Sequence, residues 1–454
     1  MTTAIPQLPT ELWARIASFT DRKSLKNLGL TCRALSMFAA REIFREIRLT
    51  ACDQSCLRLE RIRAQKQLMQ YVNKISLDLQ GWSPQLLEKH PELLQDWQDG
   101  ADEDPIVSGR FIKLLESLKI FPNLRNVNVL FDPSCELEVD YGDSPQSVDF
   151  RESMMKLVLS SLTSLPQLPL ALGLQNYQNV NPEDPETASM LKQVLGNLHS
   201  LRLGILNESC EGNGEYDLTY DQAHIFTREL PSVWLQPASS TLRHLTLYST
   251  LYFGFYPKLD LQDIHFPNLQ SLALGNYGFV HDTQLDWILS HGTTLQSLYM
   301  DDCAILYEVG IYNNNNSKDN CYLSALTEMY PDFGKRSHSG PKYRASYSKR
   351  WHDYFRAFQE GLPHLRHFQF GSSPSWWDDG GIPFEMEVEI QLRLNVERYF
   401  VFCDGYGPSP YMERWIDDDT VPYPTCDEED MEAFKALLRK TGVWIESEAA
   451  FKRD

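Results

Sequence analysis

The chain has 454 residues, 42% hydrophobic and 12% aromatic, which is enough for a large core and too apolar for a disordered polymer. Its 42 basic and 62 acidic side chains leave a formal charge of −20, which argues against a general affinity for nucleic acid or anionic lipid. The nine cysteines are scattered, with only Cys52 and Cys56 close together, so neither a disulfide framework nor a structural metal cage is expected.

From the N-terminus, residues 7–35 read QLPTELWARIASFTDRKSLKNLGLTCRAL. Leu8, Leu12, Ile16 and Phe19 recur at helical spacing, and Pro9 suits a first helical turn. Leu25, Leu28, Cys32 and Leu35 form a second ladder, with Asp21 placed as its N-cap. A third helical stretch, SMFAAREIFREIRL, offers Met37, Phe38, Ile43, Phe44 and Ile47 to the same packing. A unit of about 45 residues rarely stabilises itself without a metal, disulfides or a partner. From the pattern alone, the unit is either a handle for another protein or a helical cap on the adjoining domain.

The order and spacing of Leu8-Pro9, Glu11-Leu12, Ile16, Leu25, Leu28 and Thr31-Cys32-Arg33 resemble the F-box, a three-helix module that docks on the Skp adaptor of a cullin ubiquitin ligase. Trp13 and Thr31 depart from the commoner smaller aliphatic residue and Val. The resemblance spans roughly residues 5–47 and implies that Leu8, Pro9, Leu12, Ile16, Leu25, Leu28, Cys32 and Leu35 bind the adaptor, as the adaptor-facing and module-packing surface.

Further along, one theme recurs: LHSLRL at 198, LRHLTL at 242, LQSLAL at 269, LQSLYM at 295 and LRHFQF at 365, with LRNVNV at 124 and, loosely, VNKISL at 72. The middle starts are 269 − 242 = 27 and 295 − 269 = 26 residues apart, within a leucine-rich-repeat period. Alternation makes each a short strand with leucines inward, and stacking the strands gives a parallel sheet. Helical patterns at 283–293 and 348–362 place helices on the outer face, and Pro-Asn or Pro-His marks the turn into several strands. Coincidental leucine spacing in an ordinary α/β domain is the alternative.

The long gaps should hold insertions, including residues 100–109, 141–150 and the polar run IYNNNNSKDN at 311–320. KYRASYSKRW, residues 342–351, reads as a solvated loop entering a helix. Residues 427–442, DEEDMEAFKALLRKTG, read as a terminal helix with acids first, bases last and Gly442 at its stop, suited to capping a repeat array.

The expected fold is therefore α/β: an F-box over 1–50, an irregular leucine-rich-repeat solenoid over 51–425 with parallel strands and outer helices, and a capping helix and tail over 426–454. Together these resemble the leucine-rich-repeat F-box proteins, and the block VFCDGYGPSPYMERW gives a likeness to divergent members from filamentous fungi. The resemblance implies a non-catalytic substrate receptor, held by its F-box on the Skp adaptor and through it on a cullin. Side chains alternating with the leucines, namely His244, Thr246, Ser271, Ala273, Ser297, Tyr299, His367 and Gln369, are the candidates for the substrate-facing surface.

No nucleophile elbow, phosphate-binding loop or H-E-x-x-H helix is present, so no catalytic residue, cofactor or metal is expected. The acidic clusters at 301–302, 378–379, 417–419 and 427–430 read as solvated faces, one of which could attract a basic substrate. With no signal-peptide pattern and no run approaching 18 apolar residues, a soluble protein of the cytoplasm or nucleus, with no membrane and no nucleic-acid partner, is expected. An adaptor-binding scaffold without a ligase role and an unrecognised α/β enzyme are the other two classes the sequence allows.

Overall fold

The computed structural model describes residues 8–50, 52–80, 109–133, 135, 146–207, 221–311, 343–373, 387, 390–394, 397–403, 407–409 and 422–442. The chain divides into two compact units, Met1–Phe131 with Ser153–Leu172, and Asp132–Glu152 with Gly173–Asp454. Both are α/β with mostly parallel strands.

The first unit opens with three helices, α1 (Thr10–Ser18), α2 (Arg22–Thr31) and α3 (Arg33–Ile43). Asp21 caps α2, its Oδ1 accepting from the backbone N–H groups of Lys23 and Ser24 at 2.9 and 3.0 Å. The Ser24 side chain first, and then these backbone bonds, hold its carboxyl below the usual range. Cys32, in an extended conformation, ends α2 and starts α3. The core of the trio is small: Ala17, Leu25 and Ala39, with Leu28, Phe38 and Ile43 against them.

Ile47 departs from the helical expectation, because β1 (Glu46–Thr50) begins just beyond α3. The alternation of Ile47 and Leu49 with polar neighbours has a period of two, and it prevails over helical continuation. After α4 (Asp53–Arg63) and α5 (Lys66–Met69) comes β2 (Lys74–Asp78), and after α6 (Gly109–Glu116) comes β3 (Asn126–Leu130). These strands pair in parallel, with Ile47, Ile75 and Val127 on one rung and Leu49, Leu77 and Val129 on another. Helix α7 (Val148–Thr163) and strand β4 (Ala171–Gln178) follow in chain order.

In the second unit, α8 (Pro185–Leu195), β5 (Ser200–Leu206), α9 (Asp221–Leu230), β6 (His244–Phe253), β7 (Ser271–Phe279), α10 (Asp282–Leu289) and β8 (Ser297–Asp301) follow in order. Strand β9 (Ala304–Ile311) and β10 (Tyr343–Ser346) then pair antiparallel, so part of the basic-aromatic stretch at 342–351 is strand rather than loop. The remaining elements are α11 (Trp351–Gly361), β11 (His367–Ser372), β12 (Gln391–Leu392), β13 (Tyr399–Cys403), β14 (Gly407–Ser409) and α12 (Asp427–Lys440).

Strands β5, β6, β7, β8 and β11 are parallel and in register. Leu201, Leu245, Leu272, Leu298 and Phe368 form one buried rung, and Leu203, Leu247, Leu274, Met300 and Phe370 the next. The recurrent L-x-x-L-x-L segments thus meet one another side by side. Their entry turns repeat as well. His199 O accepts from the N–H groups of Arg243 and His244, Arg243 O from Gln270 and Ser271, Gln270 O from Gln296 and Ser297, and Gln296 O from Arg366 and His367.

The same shared-carbonyl turn recurs in the first unit, where Arg45 O serves Asn73 and Lys74, and Asn73 O serves Arg125 and Asn126. The Pro-Asn turns clamp backward: Asn123 Nδ2 donates to Gln70 O and Asn268 Nδ2 to Ser240 O, both at 2.8 Å. Helix α12 covers the far side of β11, with Phe434 against Phe355 and Phe370 at 5.2 and 5.9 Å between ring centroids. Most of residues 100–109 and 311–320, and the acidic clusters at 378–379 and 417–419, lie outside the described residues.

Candidate functional sites

On α1 the apolar ladder faces out. Leu8, Leu12, Ile16 and Phe19 are 37%, 46%, 44% and 81% exposed, while the buried member of the helix is Ala17. Positions 12, 16 and 19 lie within about one sixth of a turn of each other by helical geometry, so the exposed groups form one stripe. Leu30 and Met37 are exposed on α2 and α3 at 86% and 50%. The eight residues of the expected docking module therefore separate. Leu8, Pro9, Leu12 and Ile16 lie at the surface, Leu25 and Leu35 are buried, and Leu28 and Cys32 are half-buried. Leu30 gives no signal in the sequence because it falls off both ladders.

The eight candidates on the sheet fall on two rungs of the outward face. His244, Ser271, Ser297 and His367 share the first, and Thr246, Ala273, Tyr299 and Gln369 the second. The first rung is open, with His244 and His367 exposed and the two serines half-buried. The second is covered: Thr246, Ala273 and Tyr299 are buried and Gln369 is half-buried.

The cover is supplied by the chain itself. Glu387 Oε1 accepts from Thr246 Oγ1 at 2.6 Å and from Arg202 Nε at 3.0 Å, and Ile390 packs with Tyr248, Ala273 and Tyr299. Strand β12 then adds antiparallel to β11 through Gly371 and Ser372. Sequence alternation places the eight on two shared rungs and cannot foresee a covering segment that lies 141 residues beyond Thr246.

At the end of the same face sit Asp301, which is buried, and Asp302, which is half-buried, rather than a solvated pair. Asp301 Oδ1 accepts from Ser373 N at 2.6 Å, and Asp302 adopts a left-handed φ of 47°. Burial pushes Asp301 up to about 6 and, with the neighbouring Asp301 charge second, Asp302 up to about 7. Such groups could exchange a proton near neutral pH, but the thiol beside them, Cys303, is buried, and that burial pushes it far above the usual thiol range.

Asp430, expected on a solvated helix start, is instead the fully buried centre of a network. Its Oδ1 accepts from His352 N and Nδ1, both at 2.9 Å, and its Oδ2 from Arg398 Nε and Tyr399 Oη at 2.9 and 2.8 Å. Cys426 Sγ lies 3.5 Å from Oδ2, so His352, Cys426 and Asp430 have the donor types of a metal site. The Arg398 guanidinium already neutralises this carboxylate and opposes a second cation. The network is therefore a structural tie joining the starts of α11 and α12 to β13.

No helix among the described residues is long and apolar enough to cross a membrane. In comparisons with known proteins, the chain matches no family model and no curated protein.

Proposed function

We propose that the protein is the substrate-recognition subunit of a Skp/cullin/F-box ubiquitin ligase, with an F-box within residues 1–50 and the parallel strand repeats as an irregular leucine-rich-repeat solenoid capped by α12. The observation that carries this reading is the outward stripe of Leu8, Leu12, Ile16 and Phe19 on a trio whose own core is only a handful of side chains. Burying one such aliphatic residue is worth about 1.5–3 kcal/mol, so three or four could hold an adaptor after the costs of association. Leu25, Leu28 and Leu35 serve the module's own packing. The chain contributes proximity and orientation for transfer of ubiquitin to a lysine of the captured protein, and no covalent chemistry of its own. It works in the cytoplasm or nucleus, where adaptor and cullin are found.

The test is co-purification of the intact chain with the Skp adaptor and a cullin, beside a Leu8→Asp/Leu12→Asp variant checked for folding. Capture of both partners by the intact chain and of neither by the variant supports the reading. Capture of adaptor without cullin indicates a scaffold, and capture of neither removes the ligase reading.

A further inference from the structure

The covered second rung of the sheet has the composition of a peptide site that is already filled. Three features coincide there. Arg202 and Thr246 converge on one carboxylate, that of Glu387, at 3.0 and 2.6 Å. Three residues further on, Ile390 sits 3% exposed among Tyr248, Ala273 and Tyr299, an aromatic slot with a small floor. Beyond it the backbone pairs antiparallel with β11, matching Gly371 to Leu392 and Ser372 to Gln391, while Arg393 N donates to Phe370 O at 3.1 Å.

Backbone pairing supplies affinity in such a mode, and the charge and the aliphatic side chain supply specificity. Gly371 fits this role, because a Cβ at that position would stand 1.8 Å from Gln391 O. The neighbouring Gln369 Oε1 is buried with no hydrogen-bond partner among the described residues, which leaves one acceptor on the face for a donor that Glu387 and Ile390 do not provide.

We infer that Glu387 and residues 390–392 are an intramolecular occupant of the β5–β11 face, and that this face takes in their place an extended peptide from a partner protein. That peptide carries a carboxylate three residues before a branched aliphatic side chain, followed by one strand's worth of backbone. The assignment rests on the proposed receptor role only for its biological meaning. The face itself is independent of any adaptor. Tethering gives the occupant an effective concentration in the millimolar range, so only a peptide that is abundant, tight-binding or presented in several copies displaces it.

The inference is tested with the full chain and a fluorescent synthetic peptide of residues 385–394, EMEVEIQLRL, by anisotropy. In Glu387→Ala/Ile390→Ala the occupant loses both anchors, and this variant should bind the peptide at least tenfold more tightly than the intact chain does. A scrambled peptide should not bind. Adding Gly371→Val to that variant should abolish binding, since the β11 edge can no longer accept a strand. Adding Leu8→Asp/Leu12→Asp instead should leave peptide binding unchanged, so that failure of the adaptor reading and failure of this one are separable. Equal binding by the intact chain and the double variant, or equal binding of the scrambled peptide, overturns the inference. So does failure of Glu387→Ala/Ile390→Ala to fold, because the segment would then be core rather than occupant.

Discussion

Leu12 on α1 and Leu272 on β7 both belong to the repeating apolar row of their element, yet Leu12 is 46% exposed and Leu272 is fully buried. The strands of the second unit bury one face under helices and aromatic rings, and then cover much of the other face as well. The helical trio of the first unit closes around Ala17, Leu25 and Ala39 and leaves Leu12, Ile16, Phe19, Leu30 and Met37 outside. An apolar periodicity therefore identifies a face and its geometry, but whether the complement lies in the same chain is set by what else the fold places there.

The sharpest way to break the buried side of this comparison is to remove a charge partner. Asp430→Ala would leave Arg398, whose side chain is 5% exposed, with its contact to Asp427 but without its buried partner. Loss of one member of a buried pair costs about 3–5 kcal/mol, read as a fall in the urea midpoint of unfolding. Leu272→Ala should cost about 2–5 kcal/mol in the same assay, because its rung neighbours Leu245 and Leu298 are themselves fixed in register and cannot collapse into the cavity.

Acid and base act on opposite groups within the second unit. His291 is buried, accepts from Phe266 N at Nε2 and places Nδ1 2.9 Å from Trp287 O, and burial pushes it down to about 4. The unfolded chain binds a proton at this residue near pH 6.5 and the folded chain does so only near 4, so its contribution to stability is lost as pH falls through that window. For Asp301 the sign is reversed. Its folded value of about 6 lies above the unfolded one, so stability is lost as pH rises from about 4 through 6.

Asp301→Asn keeps an acceptor for Ser373 N and cannot ionise. Its melting temperature should exceed that of the unaltered chain at pH 8, by an amount worth up to about 3 kcal/mol, and the gap should close towards pH 4. A constant gap would mean that Asp301 is ionised throughout.

Much of this architecture was legible in the sequence because its repeats are local. The strands at 198, 242, 269, 295 and 365 carry their leucines at the same offsets, and parallel register brings those offsets together. Helix α12 was legible from its acidic start, its basic end and Gly442, which has φ 76°. What the pattern could not reveal was tertiary. Nothing around Asp301 or Asp430 distinguishes a buried carboxylate from a solvated one until Ser373, Arg398 and Tyr399 arrive from elsewhere in the chain. The occupant at Glu387 and Ile390 was equally hidden, since its side-chain partners lie far back in the chain, 185 and 141 residues away for Glu387, and its strand joins β11 by backbone alone.

The smallest expected effect on stability is the one that most directly tests what the exposed ladder is for. Leu12→Ser removes an aliphatic side chain that already contacts water, so little area is lost on folding, and surface changes of this kind fall within about 0.5 kcal/mol. The melting temperature should stay within a degree or two of the unaltered chain while capture of the Skp adaptor falls. Leu25→Ser on the neighbouring helix reverses the order of effects, because Leu25 is 5% exposed and completes the trio's core. Its cost should be several-fold larger, and its loss of adaptor should track the loss of structure. If Leu12→Ser unfolded the trio as readily as Leu25→Ser, the stripe would be covered by the chain itself, and the helices would be the cap of a core rather than a surface kept open for a partner.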